Sequence, residues 1–163
     1  MDQKEVSSMT NIDIANGIVF QALRIKKDSL DDRIISQKKI FILQEMGIDV
    51  GYCFNWYIRG PYSPDLTTYI YNNLDMLKDQ DFSKYTISKS AEDKIKVVNS
   101  LEKEKPSSLN LAAWFELLAS VLYIVKKWKK DKPFECLTKY KPQFNKEHFD
   151  AAMAQLKAIG CLS

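Results

Sequence analysis

The stretch Tyr52 to Leu66, Tyr-Cys-Phe-Asn-Trp-Tyr-Ile-Arg-Gly-Pro-Tyr-Ser-Pro-Asp-Leu, constrains the fold more than any other part of the chain. Alternation over Tyr52 to Arg59 predicts a strand, with Tyr52, Phe54, Trp56 and Ile58 facing a core and Cys53, Asn55, Tyr57 and Arg59 facing away. Gly60-Pro61 is expected to end that strand, because proline cannot donate to a ladder and glycine permits unusual backbone angles. Ser63-Pro64-Asp65 then opens a helix: a serine cap, proline in the first turn, and an acid at the positive end of the dipole. Leu66, Tyr69, Ile70, Leu74 and Leu77 follow at helical spacing. A strand, a corner and a helix start are thus forced together.

Helix signals dominate the rest. Thr10 with Asp13 begins a helix expected to run to about Lys27, and Ser29 with Asp32 begins a short one ending near Ile35. Ser36 to Met46 reads as a third, closed by Gly47. Three helices in quick succession suggest a helix-turn-helix arrangement. Tyr85 to Ser88 is expected to be a short strand, pairing with the first as a β-ribbon. Ala91 to Lys103, Leu109 to Lys129 and Phe134 to Lys139 read as helices, and Asn145 caps the last one, ending at Gly160. The apolar run Leu111 to Val125 is too short for a membrane span and carries Glu116 and Ser120. It reads as a buried helix.

The expected fold is therefore mainly α, with a minor β component. It comprises a flexible tail (1–10) and a single domain (11–163). That domain has a winged-helix-like part (11–88) with a short β-ribbon, and a helical extension (89–163). With 163 residues, one domain is the natural size. The net charge of +3 is too small to argue for nucleic acid by itself. The scattered Cys53, Cys136 and Cys161 form no Cys-x-x-Cys pair. They fit a reduced, cytoplasmic setting, and no signal peptide or membrane segment is expected.

No Walker loop, nucleophile elbow or metal-spaced Cys/His cluster is present, so neither catalysis nor a cofactor or metal is expected. His148 reads as structural. Candidate binding residues fall in three places. Arg59, at the corner, either holds a carboxylate or phosphate against the following helix start, or pairs with an acid such as Asp65. Tyr57 and Tyr62 flank it, as stacking surfaces or as a roof on the core. Gln37, Lys38 and Lys39 open the third helix, where they either meet a DNA major groove or form a solvated face. Lys126, Lys127 and Lys130 belong to the most basic segment, which touches an acidic partner or nucleic acid, or complements a helix dipole.

Gln37-Lys38-Lys39-Ile40-Phe41-Ile42-Leu43-Gln44, followed by Phe54-x-Trp-Tyr-x-Arg-Gly-Pro-Tyr-Ser-Pro-Asp-Leu66, resembles the small YwgA-like proteins of bacteria and archaea. Trp114 to Ser120 with Tyr123, and Lys141-Pro142-x-Phe144, resemble that family's central helix and final turn. Ser36 departs from the pattern, standing where an apolar residue is expected. The family is distantly similar to Panacea-type antitoxins and phage-associated proteins. The resemblance implies a winged-helix-like, mostly helical fold and a regulatory or conflict-system role. It carries over no catalytic residue.

Two functions follow as expectations. One is a non-catalytic regulator that binds DNA as a homodimer. The other is a protein-interaction module: an antitoxin, or a subunit or inhibitor in a phage–host conflict system, whose partner is a toxin or effector protein.

Overall fold

A computed structural model describes residues 9–163. Among them the fold is mainly helical, with one small antiparallel sheet of two strands. The expected tail lies outside the described residues except at its end. There Met9 is buried in the core, and the Thr10 hydroxyl accepts the Asp13 N–H at 3.1 Å to cap α1 (Asn11–Leu23). This helix ends four residues earlier than Lys27, because Arg24 turns left-handed at φ 60° and closes the last turn.

The next helix corrects the sequence reading. There is no break near Ile35: α2 runs unbroken over Leu30–Glu45, so the expected three-helix opening is two helices. Ser29 caps it by accepting the Asp32 N–H at 3.0 Å. Ser36 does not start a new helix. Its hydroxyl accepts the Lys26 N–H at 3.1 Å and donates to the Lys26 carbonyl at 2.9 Å, stitching α2 to the preceding loop. Gly47, at φ 99°, follows the end of α2 as expected.

The expected long strand is a hairpin. β1 (Asn55–Tyr57) pairs antiparallel with β2 (Gly60–Tyr62), with Trp56 opposite Pro61. Gly60-Pro61 therefore does not end the sheet but forms its second half. Ile58 and Arg59 make the turn, and Gly60 follows at φ 87°, a left-handed residue of the kind that closes short hairpin loops. Ile58 is 92% exposed, contrary to its expected place in the core, because it stands at the tip rather than in the ladder. Nor is Tyr85 to Ser88 a strand. It is an irregular lead-in whose Ser88 caps the helix that follows.

Ser63 caps α3 (Pro64–Leu77) as expected, through the Leu66 N–H at 3.3 Å. Helix α4 (Lys89–Ser100) passes into a tight turn of 3-10 helix at Leu101–Glu104. At the centre lies α5 (Leu111–Leu122), whose Trp114, Phe115, Leu117, Leu118, Val121 and Leu122 are fully buried. Each such side chain stabilises the fold by about 2 kcal/mol. The Trp114 indole N–H donates to the Leu101 carbonyl at 2.9 Å, so the buried ring leaves no donor unpaired. Helix α2 packs along α5, and α7 and β2 pack on it too. Beyond α5 the backbone widens into a π-helical turn, Tyr123–Lys127. Pro133 starts α6 (Pro133–Tyr140), and Asn145 starts α7 (Lys146–Ala158). His148 completes the cap of α7, its Nδ1 accepting the Asn145 N–H at 3.1 Å, and its Nε2 meets the Ser108 hydroxyl at 2.8 Å. No helix among the described residues is long and apolar enough to cross a membrane.

Candidate functional site

The hairpin is held from beneath by side chains of α2. Gln37 donates to the Ser63 carbonyl at 3.0 Å and accepts the Ser63 N–H at 3.0 Å, a two-way clamp on the backbone where β2 becomes α3. Seven residues on, Gln44 does the same for the start of the segment. It donates to the Tyr52 carbonyl at 2.9 Å and accepts the N–H groups of Tyr52 and Val50. A spacing of seven puts both amides on one helix face. Between them Lys38 donates to the Pro61 carbonyl at 2.6 Å, and Lys141, following α6, donates to the Ile58 carbonyl at 2.8 Å.

Gln37, Lys38 and Lys39 are thus interior residues, 4%, 1% and 3% exposed. The head groups of all three are hydrogen-bonded within the fold, so neither a groove-reading nor a solvated face is built from them. Lys39 turns to the other side of α2. There it meets Glu102 at 2.9 Å, the Leu23 carbonyl at 3.0 Å and Asn99 at 3.4 Å.

The close approach of the hairpin to α5 depends on Gly60. A Cβ at this position would stand 2.5 Å from the Ser120 hydroxyl oxygen. That hydroxyl is fully buried and has no hydrogen-bond partner among the described residues.

Around the hairpin base the charges do not balance. Lys141 lies 3.5 Å from Glu116, and both are buried. Lys38 shares that carboxylate's field with Lys141 and Arg59. Burial pushes the Lys38 ammonium down to about 7; Glu116 opposes this, while Lys141 and Arg59 reinforce it. Burial also lowers the pKa of Lys141, again opposed by Glu116.

Arg59 is exposed on the hairpin turn and makes no ion pair among the described residues, with Asp65 or any other acid. Tyr57 is 45% exposed, and its ring meets that of Tyr62 edge-on at 5.2 Å. The Tyr62 hydroxyl accepts from Thr67 at 2.7 Å, and Thr67 accepts from Gln37 at 2.8 Å. Tyr57, Arg59 and Tyr62 therefore do come together, on one corner, with Ile58 at the apex. Beside them a groove of about 310 Å³ opens between α2 and α3, lined by Arg33, Gln37, Lys38, Arg59, Tyr62 and Thr67 as well as apolar residues.

The basic segment lies elsewhere. Lys126 and Lys127 both pair with Glu45, at 3.3 and 2.8 Å, tying the π-helical turn to the end of α2. Lys130 is exposed. Behind them Trp56, Tyr123, Trp128 and Tyr140 form one aromatic cluster, with Trp56 and Trp128 at 4.7 Å. Lys141 stands 5.5 Å from the Trp56 ring. Among the described residues, no three His, Cys, Asp or Glu side chains come together as metal ligands would.

Sequence reasoning missed Glu116, Ser120, Lys141 and Ile58. A signal for the α2 clamp was present: Ile34, Gln37, Phe41 and Gln44 recur at helical spacing, which marks the two glutamines as members of a buried stripe. Comparison with protein-family models, with curated proteins and with solved structures finds no match to this chain.

Proposed function

We propose that the chain is a protein-interaction module that docks through the hairpin corner formed by Tyr57, Ile58, Arg59 and Tyr62. The observation that carries this reading is Ile58. A large aliphatic side chain, 92% exposed, stands at the tip of a hairpin whose backbone is hydrogen-bonded from below by Lys38 and Lys141. An apolar tip rimmed by two tyrosines and an arginine with no ion pair among the described residues has the composition of an interface anchor. The resemblance to Panacea-type antitoxins supports the same role, with a toxin or effector protein as the partner.

The competing reading is a winged-helix-like regulator that binds DNA as a dimer. It draws on the exposed Lys130 and on Lys126 and Lys127, which Glu45 already engages. Gln37, Lys38 and Lys39 no longer support it.

Co-purification of the native protein tests the two together. A protein partner retained by the wild type and lost with Ile58→Ser is the expected result. Retention of DNA, released steeply by salt, with no protein partner, is the result that replaces docking by DNA binding.

A further inference from the structure

The groove between α2 and α3 combines apolar walls with an excess of positive charge. Arg33, Lys38 and Arg59 line it, and no carboxylate does among the described residues. Arg33 donates to the Lys27 carbonyl at 3.1 Å and makes no ion pair among the described residues. Lys38 uses one donor on the Pro61 carbonyl, and Arg59 has no ion pair among the described residues. Glu116, in the neighbouring hollow, is already engaged with Lys141. Like charges gathered where water is partly excluded repel one another, and an arriving anion relieves that repulsion.

Two hollows flank Arg59. The second, about 290 Å³, has Asp31 and Glu116 on its wall, and these carboxylates oppose an anion. The first has none and is walled instead by Leu30, Ile34 and Tyr71. Its α2 wall runs from Leu30 to Lys38, about 12 Å at the helical rise. An extended peptide covers that length with about four residues. Tyr62 lines the groove, and its ring contacts that of Tyr57, so the groove and the hairpin tip form one continuous face.

We infer that this groove binds an extended acidic segment of the partner protein, its carboxylates toward Arg59 and Arg33 and an apolar side chain against Leu30, Ile34 and Tyr71. The inference rests on the protein-docking reading above and names the chemistry of its partner.

The test is an amide NMR titration of the full chain with three probes: the capped peptide Ac-Leu-Glu-Phe-Glu-NH2, its neutral counterpart Ac-Leu-Gln-Phe-Gln-NH2, and sodium phenylacetate. The acidic peptide is expected to shift amides of residues 30–38, of Arg59, Gly60 and Tyr62, and of residues 67–71, with a Kd on the order of 1 mM. The neutral peptide is expected to leave them in place. Arg59→Gln, a change on an exposed turn that leaves the fold intact, is expected to weaken the acidic peptide about fivefold or more.

Equal shifts from the neutral peptide, no shifts from either, or an unchanged affinity in Arg59→Gln would overturn the inference. Binding of phenylacetate without the acidic peptide would overturn it too, and would make the groove a small-molecule site. Partner capture separates this inference from the docking reading. Loss with Ile58→Ser but full retention with Arg33→Gln/Arg59→Gln removes the acidic segment and keeps docking. Retention by both variants removes docking at this corner, while the titration still judges the groove.

Discussion

Lys38 and Lys39 are neighbours on α2, both buried, and they face opposite sides of the helix. On the Lys39 side a carboxylate, a carbonyl and an amide oxygen surround the ammonium. On the Lys38 side there is one carbonyl, a distant shared carboxylate, and two further cations. The first environment is a completed structural joint between α1, α2 and the turn after α4. The second is electrostatically incomplete and adjoins a groove and an exposed hairpin tip. Burial alone therefore does not distinguish these two environments; the completeness of the charge partners does.

The comparison can be tested hardest at Gly60, which brings the hairpin within reach of the incomplete side. Gly60→Ala combines a left-handed backbone with a clash on the Ser120 hydroxyl and is expected to cost about 3 kcal/mol in urea unfolding. Ser120→Ala in the same chain should recover only part of that loss, because the backbone strain remains. A neutral Gly60→Ala would mean that the hairpin does not pack on α5 as described.

Next come the lysines themselves. Lys39→Met strands Glu102, which is a third exposed, and removes the donor to the Leu23 carbonyl, so a loss of about 1.5 kcal/mol is expected. Lys38→Met replaces a poorly compensated charge by an apolar chain of similar length. It should change stability by less than about 1 kcal/mol at neutral pH, in either direction. The reverse ranking would break the contrast between the two sides.

A third measurement uses pH. Lys38 titrates at about 7 in the folded chain, below its ordinary 10.5, so between these values the unfolded chain binds the extra proton. Its contribution to stability is lost as pH falls through 7 and grows as pH rises toward 10.5. Lys141 acts with the same sign, and the Cys161 thiol, pushed up to about 11, acts with the opposite sign at the alkaline end. The wild-type minus Lys38→Met difference in unfolding free energy should therefore rise across pH 7 to 10. A flat difference would show that Lys38 is well compensated after all. The smallest effect on stability is expected for Ile58→Ser, within about 0.5 kcal/mol of wild type, since the side chain buries almost nothing.

The helix starts were legible because their chemistry is local: Thr10, Ser29, Ser63 and Asn145 each accept an N–H three residues ahead. Ser36 to Lys39 were not. Ser36 read as a helix start, and Gln37 to Lys39 as a groove-reading or solvated face; their partners are remote in sequence: Lys26, Ser63, Pro61 and Glu102. The hairpin was half legible. Alternation marked β1, but it started three residues early at Tyr52 and ran on through both turn residues, Ile58 and Arg59, and Gly60 was taken for a terminator instead of the left-handed residue that closes the turn. That Tyr57, Arg59 and Tyr62 share one corner was legible in the sequence; the groove beside them was not, since it exists only once α2 and α3 stand side by side.

Gln37 and Gln44 fix two ends of one segment from a single helix, and that has a consequence for how this chain tolerates length changes. One residue inserted between them would rotate one glutamine about 100° away from the other. The hairpin would then be released at one end or α2 would have to unwind locally. The irregular lead-in at 83–88, in contrast, is mostly exposed and, among the described residues, is hydrogen-bonded only locally, as at Tyr85 and Ser88, so added residues there can loop into solvent. In a lineage of such chains, insertions should collect before α4 and be excluded from the two turns of α2 beneath the hairpin.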